Sequence, residues 1–430
     1  MTRIVMKFGG TSVADLDRIA NVARFVRREV DAGNAVVVVV SAMAGQTNKL
    51  VQFCEDVGPP DPSLDARGLE YDAIVSSGEQ VTAGLLALTL QHMGFRARSW
   101  QGWQIPLRTD GNHAKARIDA IPDLNIGLAI DNGEVAVVAG FQGIAPNGRI
   151  ATLGRGGSDT TAVALAAAID AARCDIYTDV DGVYTTDPRI AKTARRIDRI
   201  SYEEMLEMAS VGAKVLQTRS VELAMAHRVP LRVLSSFSDP SASLIDQAGG
   251  TIICDEEEIV EQQIVSGVTP SRDEAKISLI SVPNEPGRAA LIFIILAEAN
   301  INVDMIVQSP SRSPDAANIS FTMNVGEVDR AAEVLNARKT DIGFAEMIQD
   351  PSIAKISVIG VGMKSHAGVA SIMFSTLAER GINIQNISTS EIKISVLIDS
   401  EYTELAVRAL HQAYGLDKAQ PGSTAPELIA

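Results

Sequence analysis

The chain has 430 residues, of which 46% are hydrophobic and 21% charged, and a formal net charge of −15. That balance suits a globular protein of two or three domains, and the acidic excess without any Lys/Arg run argues against a nucleic-acid binder. No apolar run is expected to reach membrane-spanning length and Arg3 to Lys7 carries no signal-peptide pattern, while three scattered cysteines and five scattered histidines point to a reducing cytoplasm and no zinc site.

Arg3 to Phe8 reads as a first strand ending at Gly9-Gly10. Ser12, with Asp15 three residues on, is placed to cap a helix whose apolar face is Leu16, Ile19, Val22, Ala23, Val26 and Val30, with Gly33 as its stop. Ala35 to Val40 is a continuous run that marks a strand buried on both faces. Strand, glycine turn, helix and buried strand make a βαβ unit. The polar loop Ser41 to Asn48 follows at the strand's C-terminal end, where open α/β sheets bind ligands. Gly58 to Pro62 reads as a linker-like loop. Ile74 to Glu79 leads into a helix over Gln80 to Met93, Glu134 to Phe141 is a further strand, and Pro146 to Arg149 forms a hairpin tip.

Leu153-Gly154-Arg155-Gly156-Gly157-Ser158-Asp159 then enters a strong helix former, Thr160 to Ile169. Glycines allow close backbone approach, and free N–H groups at a helix start favour an anion. The stretch reads either as a phosphate cradle carrying one guanidinium and one carboxylate, or as a tight turn with a good N-cap. The spacing matches neither a Walker A loop nor a dinucleotide fingerprint. Lys7, between a buried strand and a Gly-Gly turn, is aimed at an anion. Cys174 to Thr178 is a short strand opening into Asp179 to Arg189. A helix over Ala213 to His227 and a strand over Leu231 to Leu234 close the region.

Ser238 to Ser241 and Gly249-Gly250 are breakers, and Asp255 to Glu258 is an acidic, solvated run. Beyond them the sequence repeats: Pro286 to Ile306 aligns with Ala367 to Ile387, sharing Gly287/Gly368, Phe293/Phe374, Leu296-Ala297-Glu298/Leu377-Ala378-Glu379 and Ile301-Asn302/Ile382-Asn383. Each copy reads strand, glycine turn, helix, strand, strand, a small α+β unit. The tail after Lys418 is small and polar, and is expected to be disordered.

Lys7-Phe8-Gly9-Gly10-Thr11-Ser12-Val13, Ser76-Ser77-Gly78-Glu79, the Gly154 to Asp159 loop and Thr178 to Arg189, in this order, resemble the aspartate kinase family, and the duplicated unit is similar to its paired ACT domains. The resemblance implies an α/β amino-acid-kinase αβα sandwich around a largely parallel sheet, followed by two ferredoxin-like ACT domains. The boundaries that follow are a catalytic domain over 1–245, a linker over 246–263, and ACT domains over 264–345 and 346–430. The implied reaction moves the γ-phosphoryl group of ATP, carried with Mg²⁺ on its phosphates, to the β-carboxylate of L-aspartate, at the head of lysine, threonine and methionine biosynthesis. That carboxylate is already ionised at neutral pH, so the chemistry needs alignment of two anions rather than a general base.

By the same resemblance Lys7 bridges phosphates, Asp159 holds Lys7, and the backbone at Gly9, Gly10, Gly156 and Gly157 holds the moving phosphoryl group. Glu79 takes the aspartate ammonium, Arg155 pairs with its α-carboxylate, and Ser41, Thr47, Phe141 and Ser158 line the rest. A helix-start role for Glu79 is the alternative. Thr178, Asp179, Tyr184, Arg189 and Lys214, with Lys7 and Gly10, match nucleotide positions. Tyr184 as an ordinary half-buried aromatic and Lys214 as a surface residue are the alternatives there. Asn302, Asp304 and Gln308 in the first repeat and Gly368, Val369 and Asn383 in the second are candidates for binding lysine and/or threonine. Pairing of ACT units implies a homodimer or an α₂β₂ assembly, with no membrane partner. Two other readings remain beside this one: a different enzyme of the fold, such as glutamate 5-kinase or acetylglutamate kinase, and a non-catalytic amino-acid sensor. Retention of Lys7, Glu79 and Asp159 speaks against the sensor.

Overall fold

Ala35–Val40 is buried at every position, and the first sheet is built outward from it. The computed structural model describes residues 1–58, 66–105, 107–120, 125–210, 215–241, 249–259, 264–311, 313–366 and 368–418. They divide into a unit made of Met1–Tyr184 with Arg196–Glu261, and a second made of Thr185–Arg195 with Gln262–Ala430.

In the first unit eight strands lie in the order Arg199–Ser201, Thr251–Cys254, Leu231–Ser235, Arg173–Thr178, Arg3–Phe8, Ala35–Val40, Val135–Ala139 and Ala97–Trp100. Every pairing is parallel except that of Leu231–Ser235 with Thr251–Cys254. Ile4, Met6, Phe8, Val36, Val38 and Val40 share one face and form one core with the helices Leu16–Asp31 and Ser77–His92. Lys7 is out of step with that set, so the pleat turns it to the opposite face. There it meets Asp159 of the helix Gly157–Ala168. That helix has no polar face through Ala166 because it is buried throughout. A second sheet of Ile118–Ala120, Arg108–Thr109, Gln142–Ile144 and Ile150–Thr152 carries the chain into the glycine loop, and its last two strands form the hairpin expected around Pro146 to Arg149.

Several local expectations shift. Asp15, not Ser12, caps the first helix, accepting from the Arg18 N–H, and the Ser12 hydroxyl instead bonds Ser236 Oγ at 2.8 Å. Leu16 faces solvent, and Phe25 takes a core position in that helix. The helix expected from Gln80 begins at Ser77, which brings Glu79 into its first turn. Gly68–His92 is long and apolar enough to cross a membrane, contrary to the sequence expectation. It turns at Ser76, and its Asp72 and Glu79 are buried inside the first unit. Most of the Gly58 to Pro62 loop, the start of the helix expected from Ala213, and the tail after Lys418 lie outside the described residues.

The second unit holds two four-stranded antiparallel sheets. The first repeat orders Val307–Pro310, Ala316–Asn324, Glu274–Pro283 and Glu346–Asp350. The second orders Gly267–Ser271, Ile353–Ile359, Lys393–Asp399 and Asn386–Thr389. The boundaries read from the sequence therefore move. Glu346–Asp350 completes the first repeat's sheet, and Gly267–Ser271, which precedes that repeat, pairs into the second. Thr251–Cys254, expected in a linker, is a strand of the first unit. Thr185–Arg195, expected in the first domain, folds with the second unit. The Val268 N–H donates to Thr185 O, Thr185 Oγ1 lies 2.9 Å from His411 Nε2, and Arg195 donates to Leu416 O.

The Phe8 ring, fully buried, stacks on Tyr177 with centroids 4.5 Å apart. Phe8→Ala should cost the first unit about 3–5 kcal/mol, read as a lowered urea midpoint. A loss below about 1 kcal/mol would contradict this account of the core.

Candidate active site

The strands Arg3–Phe8 and Ala35–Val40 end side by side and in register, with Phe8 opposite Val40. After Phe8 the chain turns through Gly9 into a short 3₁₀ turn, Gly10–Val13. After Val40 it runs through Ser41–Gly45, and left-handed Gly45 starts the helix Gln46–Asp56. The glycine loop approaches from a third direction. Between them lies a cavity of about 380 Å³. Lys7, Gly9, Gly10, Ser41, Thr47, Glu79, Phe141, Arg155, Ser158 and Asp159 all line it, so residues from well-separated stretches of the chain converge here.

The glycines here are required by contact. Gly156 has φ +72°, and a Cβ on it would sit 1.9 Å from Gln217 Cγ. A Cβ on Gly157 would sit 2.7 Å from Phe141 Cδ2. Phe141 itself holds φ +69°, a conformation side chains rarely adopt; Leu153 N–H donates to its carbonyl and Thr161 Oγ1 accepts from its amide. Of the four glycine amides expected to face a phosphoryl group, two are engaged within the protein. Gly157 N–H donates to Gly154 O at 3.0 Å and Gly9 N–H to Tyr177 O at 3.4 Å.

Lys7 Nζ lies 2.5 Å from Asp159 Oδ1, both side chains being about nine-tenths buried. Asp159 stands in the first helical turn after Gly156, where the helix dipole also favours its charge. Glu79 is 3% exposed. Its Oε1 accepts the Ala42 N–H at 3.0 Å, while Oε2 is buried without a partner. Burial pushes the carboxyl up to about 7, against the pull of hydrogen bonds from the amides of Ala42 and of Glu79 itself. The close fit beneath it depends on Gly78, where a Cβ would meet Ala42 Cβ at 2.7 Å. The cavity thus presents one paired cation and one buried carboxyl with no cation partner among the described residues. Arg155 is exposed at its rim, with no ion pair among the described residues.

Among the described residues of the first unit, Thr178, Asp179 and Tyr184 do not line this cavity. Thr178 Oγ1 donates to Asp179 Oδ1 at 3.1 Å, and Tyr184, a half-buried ring, donates its hydroxyl to Asp181 at 2.8 Å. Arg189 is strongly exposed, pairs with Asp187 at 2.7 Å and belongs to the second unit. Lys214 lies outside the described residues. In the second unit Asn302, Gln308 and Asn383 are exposed, Gly368 starts the helix Val369–Glu379 at φ +104°, and Val369 O accepts from Tyr414. Asp304 is already engaged, paired at 2.5 Å with Lys355, a buried residue of the second repeat that also meets Glu274 at 2.8 Å. Sequence reasoning missed the Ala42 amide and the packing of Gln217 against Gly156. Neither residue type carries a chemical signal of its own.

Residues 2–235 match the amino acid kinase family, and residues 277–343 and 356–414 each match an ACT domain. Aspartate kinase of Pseudomonas fluorescens is 52% identical over 97% of this chain and 98% of its own length. The crystal structure of E. coli aspartokinase III with aspartate and ADP, described as the R-state, is 29% identical, with a TM-score of 0.77 over 95% of this chain and 99% of that one. The same enzyme with lysine and aspartate, described as the T-state, gives 28% and 0.73 over 95% and 98%.

The Glu79 carboxyl titrates near 7 in the folded protein against 4.5 as the ordinary value. Between these pH values the unfolded chain releases the proton and the folded one keeps it. Stability therefore falls as pH rises through that window, by about 3 kcal/mol in all. Glu79→Gln removes this slope, so relative to the parent the variant should gain up to about 3 kcal/mol on going from pH 4.5 to pH 8. Urea unfolding at the two pH values measures it, and a parallel response of both proteins would contradict the burial argument.

Proposed function

The chain belongs to the aspartate kinase family, and we propose that it transfers the γ-phosphoryl group of ATP to the β-carboxylate of L-aspartate, giving 4-phospho-L-aspartate. The observation that carries this reading is the meeting of Lys7, Asp159, Glu79 and Arg155 on one cavity. A substrate with one ammonium and two carboxylates needs both signs of charge. Glu79 offers a desolvated acceptor for the ammonium, and Arg155 an unpaired guanidinium for the α-carboxylate. That leaves the β-carboxylate directed at Lys7 and the glycine turn. Lys7 is the phosphate-bridging cation, steered by Asp159, and the amides of Gly10 and Gly156 are the backbone donors left to the moving phosphoryl group. The attacking oxygen is already ionised, so this cavity supplies alignment and charge compensation and needs no base.

Thr178, Asp179 and Tyr184 are assigned to the nucleotide, with Arg189 and Lys214 as further contacts. Among the described residues no three metal-ligating side chains gather, so Mg²⁺ is assigned to the nucleotide phosphates, where it offsets charge that Lys7 also meets. The two repeats are assigned to sensing lysine and/or threonine. The lysine-bound T-state of the structural neighbour supports the first of these. Val307–Pro310 and Asn386–Thr389 end their sheets, the position from which a second copy would add its strands. That fits a homodimer or an α₂β₂ assembly in the cytoplasm, on the pathway to lysine, threonine and methionine.

An ATP-dependent aspartyl hydroxamate assay tests the reaction. Lys7→Ala should lower kcat about 10²–10³-fold with the fold intact, and near-normal turnover would sink the assignment. Glu79→Ala should raise the aspartate KM about 30-fold or more with the ATP KM little changed; equal effects on both would make Glu79 structural. Calorimetry with lysine and with threonine should detect binding to the full chain, and no heat from either would leave the repeats without a sensing role.

A further inference from the structure

Asp72 lies in the helix Ala66–Val75, outside the cavity, and is fully buried. Its carboxylate is surrounded by donors. Oδ1 accepts from Thr152 Oγ1 at 2.5 Å and from the Ala114 N–H at 3.0 Å. Oδ2 lies 2.7 Å from His113 Nδ1 and 3.1 Å from the same Ala114 N–H. A buried carboxylate with this many donors fixes its surroundings tightly, because any donor that drifts leaves charge uncompensated. What it fixes is a strained turn. Ala114 holds φ +66°, in the left-handed region that a side chain disfavours.

That turn carries the first residue of the glycine loop. The Cβ position of Gly154 is 3.2 Å from Ala114 O and 3.6 Å from Lys115 Cα, so Gly154 rests directly on the pinned segment. Two further ties hold the same two segments together. Ala116 N–H donates to Thr152 O at 2.9 Å. Arg219 bridges Leu153 O at 2.7 Å and Ala116 O at 3.0 Å. Arg155 follows at once. Its guanidinium has no ion pair among the described residues, so the backbone at Gly154 sets where the side chain is rooted at the cavity.

We propose that Asp72 is a positioning residue for aspartate: by pinning the His113–Lys115 turn under Gly154 it sets where Arg155 meets the α-carboxylate. The proposal rests on the reading of Arg155 given above. The hydrogen-bond partners of the Asp72 carboxylate, His113, Ala114 and Thr152, do not line the cavity, so it acts through Gly154 and Arg155. A misplacement of the order of an ångström at a binding group is enough to change kinetics strongly.

The test is a double-variant cycle on the full chain, with aspartate KM, ATP KM and kcat measured for Arg155→Ala, Asp72→Ala and the pair. Arg155→Ala should raise the aspartate KM with the ATP KM little changed. Asp72→Ala should raise the aspartate KM roughly tenfold or more, and the double variant should resemble Arg155→Ala alone. Asp72→Asn still accepts from Ala114 and Thr152 and should recover most of the loss. If Arg155→Ala leaves the aspartate KM unchanged, the reading of Arg155 fails and this proposal with it. If Arg155→Ala behaves as stated but the Asp72→Ala effect adds to it in full, or raises both KM values alike, Asp72 is a fold residue only. Should Asp72→Ala not fold, Thr152→Val takes its place in the cycle, removing one donor at nearly constant volume. A several-fold rise in aspartate KM that vanishes in the Arg155→Ala background supports the proposal, and an unchanged aspartate KM overturns it.

Discussion

An unpaired carboxyl in a water-poor cleft is costly, and the cavity is organised around one. Glu79 is buried with one oxygen bonded to the Ala42 amide and the other without a hydrogen-bond partner among the described residues. Such a group holds its proton near neutral pH or finds a cation. Lys7, the other charge nearest the cavity floor, already has Asp159. The two charges are therefore not interchangeable: one site is balanced before any ligand arrives, and the other is balanced only by a ligand bearing positive charge. This asymmetry is what distinguishes an amino-acid acceptor from a second phosphate. It also ties function to stability, since the state that binds best is the state the empty protein tolerates least.

The backbone makes the cleft possible. Gly78, Gly156 and Gly157 each stand where a Cβ would collide with a neighbour, at Ala42, Gln217 and Phe141. These contacts bring a helix start, a strand end and a loop close together, and the buried charges among them, Lys7, Asp159 and Glu79, act at lower effective dielectric than surface groups. From its sequence the glycine loop is a phosphate cradle or a tight turn with a good N-cap. With Gly157 N–H committed to Gly154 O, and with Arg155 and Ser158 on the cavity beside Glu79, it reads better as the meeting place of both substrates.

The middle of the parallel sheet was legible because Ala35–Val40 and Val135–Ala139 are unbroken apolar runs, and the first of these admits hardly another reading. The cleft was legible from residue type at Lys7, Arg155 and Asp159, and at Glu79 only through the family resemblance. What escaped depends on pairing at long range. Gly267–Ser271 joins the second repeat's sheet across the whole first repeat, and no local periodicity can announce that. Thr251–Cys254 was hidden behind two glycines that looked like a linker. Ser12 and Asp15 are both good caps by type, and only packing, Ser12 against Ser236, decides between them. The Ala42 amide and the carboxylate of Asp72 act through position in the fold rather than through a motif.

The most direct test of the central claim is the proton balance of aspartate binding. Titration calorimetry in buffers of different ionisation enthalpy gives the number of protons released. At pH 6, below the value near 7 at which the empty site titrates, aspartate should displace close to one proton from Glu79, and about none at pH 8. Glu79→Gln should bind weakly and release none. A heat of binding at pH 6 that is the same in every buffer would mean that Glu79 is already ionised in the empty protein, and would contradict the account.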